Sequence, residues 1–191
     1  MNIFCACFFI GMYQREIMKH RLKNLPSKMK APFKVNRNKI SLKFAIWSFI
    51  SSTLSIWSIL AVTEWSGHPL LIGSFGASSV LLFAAPESIL TQPRNLIGGH
   101  LVSAVIAVII VKILGSSFFT IGFAVGFSIF CMYLTHTLHP PGGATALIGV
   151  MGSAKPEFIL VPVLAGVIIL LLNALIVNNI VYHRKYPTVW F

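Results

Sequence analysis

The chain has 191 residues, 56% of them hydrophobic and only 10% charged, with a mean hydropathy of +0.83; no water-soluble domain has that balance. Its length allows one domain and, in a bilayer, about four to six spans. The formal charge of +11 would suit a nucleic-acid binder, but ten of the fifteen Lys and Arg residues lie between Arg15 and Lys43, ahead of the first long apolar run. Basic residues there set membrane orientation, so the expected partner is the lipid bilayer and not nucleic acid.

Residues 1–13 are apolar but too short to span, and neither a basic n-region nor a small-residue cleavage site marks a signal peptide. Met12 or Met18 is an alternative start. Cys5, Cys7 and Cys131 form no disulfide framework or zinc spacing, and no metal or cofactor is expected. Residues 1–43 read as a basic cytoplasmic leader that would also suit anionic lipid heads.

The first predicted span is Phe44 to Thr63. Ser48, Ser51, Ser52, Ser55 and Ser58 share one face of it, which fits close helix packing or, alternatively, pore lining. Trp65 suits an interfacial anchor. Leu70 to Ala85 is apolar but threaded with small residues. A polar connection follows, Pro86-Glu87 through Gln92-Pro93-Arg94-Asn95, in which Thr91 is a candidate cap for the next helix. Arg94 is the one arginine between the leader and the C-terminal tail; it either fixes topology or attracts an anion. Leu96 to Leu114 is the next span. Phe118 to Leu138 follows, with Gly122 and Gly126 at small-xxx-small spacing. His136 and His139 are three apart, but no carboxylate or cysteine stands at ligand spacing beside them.

His139-Pro140-Pro141-Gly142-Gly143-Ala144-Thr145 comes next. Two prolines stop any helix running through, and one can start just after them. Glycines would keep its first turn bare, with N–H groups free to face an anion; the plain alternative is a tight turn. About a dozen helical residues fit before Ala154, roughly 18 Å, which is a half-helix and not a span. An earlier stretch echoes it: His68-Pro69, then Gly76-Ala77-Ser78, then Pro86-Glu87, against His139-Pro140, Gly143-Ala144-Thr145 and Pro156-Glu157. Such internal repeats with broken helices are how many transporters are built. The last span, Phe158 to Val181, carries Pro162 and an Asn173 expected to hydrogen-bond a neighbouring helix. Arg184 and Lys185 would hold a short tail, residues 184–191, inside with the leader.

The expected fold is thus an all-α polytopic membrane protein, with four to six apolar segments in two weakly repeated halves and a membrane domain over residues 44–183. Both termini inside requires an even number of crossings. Six would invert the halves; four would leave both His-Pro stretches re-entrant.

Taken with Gly73-Ser74-Phe75-Gly76-Ala77, Pro86-Glu87, Gln92-Pro93-Arg94-Asn95, Gly98-Gly99-His100, Tyr186-Pro187 and Trp190, the stretch from His139 to Leu147 resembles the signature of the HPP family of integral membrane proteins. The resemblance covers roughly Phe44 to Phe191. It implies four spans as the family is usually described, and nitrite transport as known for some plastid and cyanobacterial members. Bacterial members often carry a soluble CBS domain, which these residues do not include. The expectation is a small-anion transporter or channel in a bacterial plasma membrane, not an enzyme, with oligomeric state left open. The residues expected to meet the anion are His139, Pro140, Pro141, Gly142, Gly143, Ala144 and Thr145, with Arg94, and with Gly76 and Ser78 of the echoing stretch. No nucleotide-binding loop is present, so flux would be passive or proton-coupled. The alternatives are a structural or regulatory subunit, or a membrane enzyme using His100, His136 and His139 with Glu87 or Glu157. Four acidic residues in the whole chain, none of them Asp, weigh against the enzyme.

Overall fold

A computed structural model describes residues 16–20, 23–24, 41–69, 72–181 and 184–190. The chain divides into residues 1–40 and 41–191. In the first unit residues 16–20 are helical, with an exposed Lys19–Glu16 pair at 3.0 Å; the remainder of the basic leader lies outside the described residues.

Among the described residues of the second unit every regular element is helical, and each helix starts where the local chemistry dictates. Helix α1, Leu42–Ser66, is capped by the Ser41 hydroxyl and ends at Gly67, whose φ of 69° needs a residue without Cβ. Helix α2, Gly73–Ala84, has 12 residues. Helix α3, Pro93–Leu114, begins with proline at its first position, where a missing N–H costs nothing. Gln92 holds the cap position there. Thr91, the expected cap, instead donates its hydroxyl to the carbonyls of Pro86 and Ser88. Helix α4, Phe118–Leu134, opens with a Ser117/Thr120 capping box. Helix α5, Pro140–Met151, is the expected half-helix: 12 residues, about 18 Å, with His139 as its cap residue. An irregular turn, Ile159–Leu164, extended at Val161 ahead of Pro162, leads into α6, Ala165–Ile180.

Leu42–Ser66, Pro93–Leu114 and Ile159–Ile180 are each long and apolar enough to cross a membrane. Large apolar side chains stand exposed around the bundle, among them Trp57, Ile113, Phe118 and Phe119. On a soluble protein so much exposed apolar surface would drive aggregation; here it faces lipid. Gly122 and Gly126 are on that outer surface, and a Cβ added at either would meet nothing within 4 Å among the described residues, contrary to the expected packing face. The serine face of α1 does pack. Ser51 and Ser55 are buried, Ser48 donates to the Phe83 carbonyl at 2.7 Å, and Asn173 donates to Ser58 at 2.8 Å.

Hydrogen bonds between the connections fix the topology. The Tyr186 hydroxyl donates to the Thr91 carbonyl at 2.7 Å, the Arg94 guanidinium to Thr135 at 3.0 Å, and that of Arg184 to Phe44 at 3.3 Å. The start of α1, both connections ahead of α3 and α5, and the tail therefore share one face. Six helices alternate up and down. Residue 88 and residue 188 therefore lie on the same face. The tail is not loose: Gln92 accepts from the Thr188 N–H at 2.9 Å.

The two halves are related by an approximate two-fold. Residues 67 positions apart are equivalent: Gly76-Ala77-Ser78 in α2 corresponds to Gly143-Ala144-Thr145 in α5. Phe75 presses on Gly166 as Gly142 presses on Gly99, each pair the image of the other. Along the contact of α2 with α5, Gly73 meets Ile148, Ser74 meets Thr145 and Ser78 meets His139, so the short helices run antiparallel. An axis in the membrane plane gives that arrangement; an axis along the normal would make them parallel. The two His-Pro pairs are not equivalent. The position matching His139 is Ile72, the cap residue of α2, whereas His68 and Pro69 lie in the connection after α1.

Candidate functional site

Where the short helices cross, a row of polar side chains runs through the apolar interior. Ser74, Ser78, His100, His139 and Thr145 are all buried, none more than 1% exposed. Ser74 and Ser78 stand four apart on α2, so they share a face. His100 projects from α3, and Thr145 sits on α5 beyond its cap residue His139. The Ser74 and Thr145 hydroxyls are 2.9 Å apart; Thr145 lies 2.7 Å from His100 Nδ1. His100 Nε2 is 2.8 Å from the Ser78 hydroxyl, which is 2.9 Å from His139 Nε2. His139 Nδ1 stands 2.7 Å from the Leu90 carbonyl oxygen.

That last contact fixes the His139 tautomer. A carbonyl only accepts, so His139 carries its proton on Nδ1 and, when neutral, accepts at Nε2 from Ser78. Ser78 also lies against His100 Nε2, whose Nδ1 faces the Thr145 hydroxyl, and Thr145 in turn donates to Ser74. The rings pack as well: their centroids are 5.0 Å apart, and Phe75 lies edge-on to His100 at 5.4 Å. No charged side chain hydrogen-bonds a member of this row among the described residues.

Glycines on α3 make the approach possible. A Cβ on Gly99 would collide with that of His139, and one on Gly98 would collide with Thr137. Gly142 donates its N–H to the His139 carbonyl at 2.8 Å, and a Cβ there would stand 2.7 Å from the Gly99 carbonyl oxygen. The first turn of α5 therefore rests on the backbone of α3, and its Gly142 N–H is already used inside the protein. Gly143 is buried but roomier, its nearest neighbour being Val125 at 3.8 Å.

Of the residues expected from the sequence, the fold brings His139, Thr145 and Ser78 into hydrogen-bonded contact. Pro141, Gly142 and Gly143 are buried beside them, Ala144 is half-buried, and Pro140 and Gly76 lie at the surface. Arg94 is separate. It lines a cavity of about 550 Å³ with Leu90, Gln92, Asn95, His136 and Trp190. Leu90 and Leu138 are both in that wall, so His139 stands directly behind it. His136 is exposed, and Glu87 lines a different cleft with Phe44 and Arg184. No group of three or more metal-ligating side chains occurs among the described residues. Ser74 and His100 were not among the expected anion-site residues. The available signal was His100 itself, an ionisable residue inside an apolar span.

Outside the spans, the tail is anchored by buried polar contacts. Arg184 donates to Asn178 and Ser48 at 3.2 and 3.1 Å and stacks over Phe44 at 4.2 Å, and burial lowers the pKa of its guanidinium. Burial likewise pushes the Tyr186 phenol above its ordinary value, so it stays a neutral donor to Thr91.

Three helices long and apolar enough to cross a membrane, shorter helices between them and a buried ionisable row define a polytopic integral membrane protein. The family model for the HPP transmembrane region matches residues 37–187, and the chain belongs to that family. One transmembrane protein of Dictyostelium discoideum is 48% identical over 158 residues, which cover 76% of this chain and 55% of the relative. A second from the same organism is 43% identical over 157 residues, 76% of this chain and 50% of the relative. The chain thus spans about half the length of the curated relatives it matches. The bacterial membrane expected from the sequence finds no support in these relatives. No solved structure matches significantly.

Proposed function

We propose that this protein is a membrane transporter or channel for a small inorganic anion, with a nitrite-like ion as the substrate that the family resemblance implies. The observation that carries this reading is the buried His–Ser–Thr row at the crossing of the short helices, set directly behind a cavity that holds Arg94. Ionisable groups are expensive inside a membrane and mark pathways when they are retained. A fixed guanidinium at the mouth raises the local concentration of anions.

The face with Lys43, Arg94, Arg184 and Lys185 is read as cytoplasmic, with Lys112 and Lys155 opposite. The cavity is then the inner mouth, both termini are inside, and the chain crosses six times. The exposed carboxylates Glu87 and Glu157 stay outside the row, and its histidines serve passage and not catalysis. Ligand-dependent unfolding of the purified protein tests the reading. Anything bound only to the native state stabilises it, by about 2.7 kcal/mol at a hundredfold excess over Kd. Nitrite should raise Tm in wild type and less in Arg94→Gln. No shift in either at millimolar nitrite would overturn it.

A further inference from the structure

We infer that the Arg94 cavity is a binding site for an anionic phospholipid, whose phosphate the guanidinium holds while an acyl chain runs down the outside of α4. The inference goes beyond the anion reading and does not depend on it. The cavity stands at an end of the bundle: Arg94 is the second residue of α3, and Tyr133, in the same wall, is the last but one of α4. On a membrane protein that level is the headgroup region. The guanidinium gives one N–H to the Thr135 carbonyl at 3.0 Å, which fixes its position and leaves further donors for a ligand. No carboxylate lines the cavity among the described residues, so the charge has no partner ion there. Of the acidic residues in this unit, Glu87 lines the Arg184 cleft, Glu64 is near the far end of α1 and Glu157 follows the far end of α5.

Size and wall chemistry select the ligand. A volume of about 550 Å³ is that of a site for a sizeable organic molecule, and a triatomic anion fills a small part of it. Ile89, Leu138 and Val189 make the wall apolar. Tyr133 and Trp190 are exposed aromatic rings of the kind that settle at a membrane interface. A phosphate carrying an apolar body matches such a wall; a free phosphate does not use it.

The cavity also continues into the lipid-facing surface. Tyr133 belongs both to its wall and to the exposed face of α4, and Gly126 and Gly122, seven and eleven positions earlier, share that face. A Cβ at either glycine would meet nothing within 4 Å among the described residues, so the two missing side chains leave a trough. The stacked rings of Phe123, Phe127 and Phe130, with successive centroids 5.7 and 6.1 Å apart, border it. An acyl chain lies along that trough with its headgroup at Arg94. A zwitterionic headgroup would add an ammonium to a face that already carries Lys43, Arg184 and Lys185, so the site selects net negative lipids. Headgroup and permeant anion would compete for the one guanidinium.

Native mass spectrometry of the purified chain in detergent tests the site, with dioleoyl phosphatidylglycerol as the anionic probe and dioleoyl phosphatidylcholine as the neutral one. Wild type should retain one phosphatidylglycerol, roughly tenfold more tightly than phosphatidylcholine, and Arg94→Gln should lose about fivefold of that preference. Gly126→Leu fills the trough and should weaken phosphatidylglycerol several-fold, whereas Lys112→Gln, at the other end of α3, should leave it unchanged. Arg94 and Gly126 are both exposed, so each variant should keep a native Tm, and either one alone decides if the other misfolds. sn-Glycerol 3-phosphate, the same phosphate without chains, should displace the lipid only in large excess. Equal retention of the two lipids, or undiminished phosphatidylglycerol in a folded Arg94→Gln or Gly126→Leu protein, would overturn the inference. Displacement by glycerol phosphate at equal concentration would also overturn it and make the cavity a site for soluble phosphates. None of these measurements involves nitrite, so the anion reading stands or falls separately.

Discussion

Replacing Gly99 by alanine adds one methyl group at the tightest point of the site. Its Cβ would stand 3.0 Å from the Thr137 carbonyl oxygen and 3.4 Å from the Cα of His139, and would collide with the His139 Cβ. None of these atoms ends a flexible side chain, so the backbone carrying His139 has to move. Overpacking of this kind costs about 1–3 kcal/mol, offset by up to about 1 kcal/mol from better helix propensity. The expected net loss is about 1–2 kcal/mol. Gly122→Ala is the control. Gly122 is also mid-helix, but nothing lies within 4 Å of the added methyl, so it should be neutral or slightly stabilising. Thermal unfolding in one detergent should separate the two variants by about 2 kcal/mol. Nitrite uptake should fall in Gly99→Ala alone, because the displaced residue leaves Ser78. Losing one buried hydrogen bond of about 1 kcal/mol corresponds to roughly a fivefold slower rate. Equal Tm shifts in the two variants, or a Gly99→Ala protein with native Tm and uptake, would refute the packing argument.

Other outcomes follow from the same geometry. Arg94→Gln should raise the nitrite concentration for half-maximal uptake several-fold, whereas Lys112→Gln, at the opposite end of α3, should leave it unchanged; concentration-dependent uptake reads both. In a background without native cysteines, cysteine at Ser88 and at Thr188 should be labelled from the same side and cysteine at Ser116 from the other. Labelling of 88 and 188 from opposite sides would contradict six alternating passes. Tyr186 ionises in the unfolded chain near pH 10 but not in the folded one, so its share of stability is intact below about pH 10 and is lost as pH rises above it. Tyr186→Phe should be less stable by about 1 kcal/mol at neutral pH and show a shallower loss of Tm above pH 10.

Much of the fold was legible because a bilayer leaves few options. Pro140-Pro141 announced a helix of about a dozen residues, and α5 has 12. The serine face of α1 and Asn173 found the expected neighbours. Where the short helices end was not legible, since apolar length alone leaves 12 residues ambiguous; long-range bonds such as Tyr186 to Thr91 place those ends. Gly122 and Gly126 show the opposite failure, a correct spacing with no partner among the described residues. At the site, the Gly76-Ala77-Ser78 echo placed Ser78 opposite its own image helix, and His139 was conspicuous beside its prolines. His100 was harder. Its role depends on Thr145, 45 positions away, and on Ser78, 22 positions away in the other direction. Gly98 and Gly99 were the local clue, because two glycines before a histidine in an apolar span allow another backbone to approach closely.

Anion flux through the purified protein, alone in vesicles, tests the central claim most directly. With tracer nitrite outside and a panel of nitrate, formate, chloride and bicarbonate as competitors, uptake should be saturable, exceed that of protein-free vesicles, and be displaced by small monovalent anions in an order set by size and hydration. Uptake no faster than in empty vesicles, from protein with a native unfolding transition, would contradict it and leave the HPP fold here as a structural or regulatory membrane subunit.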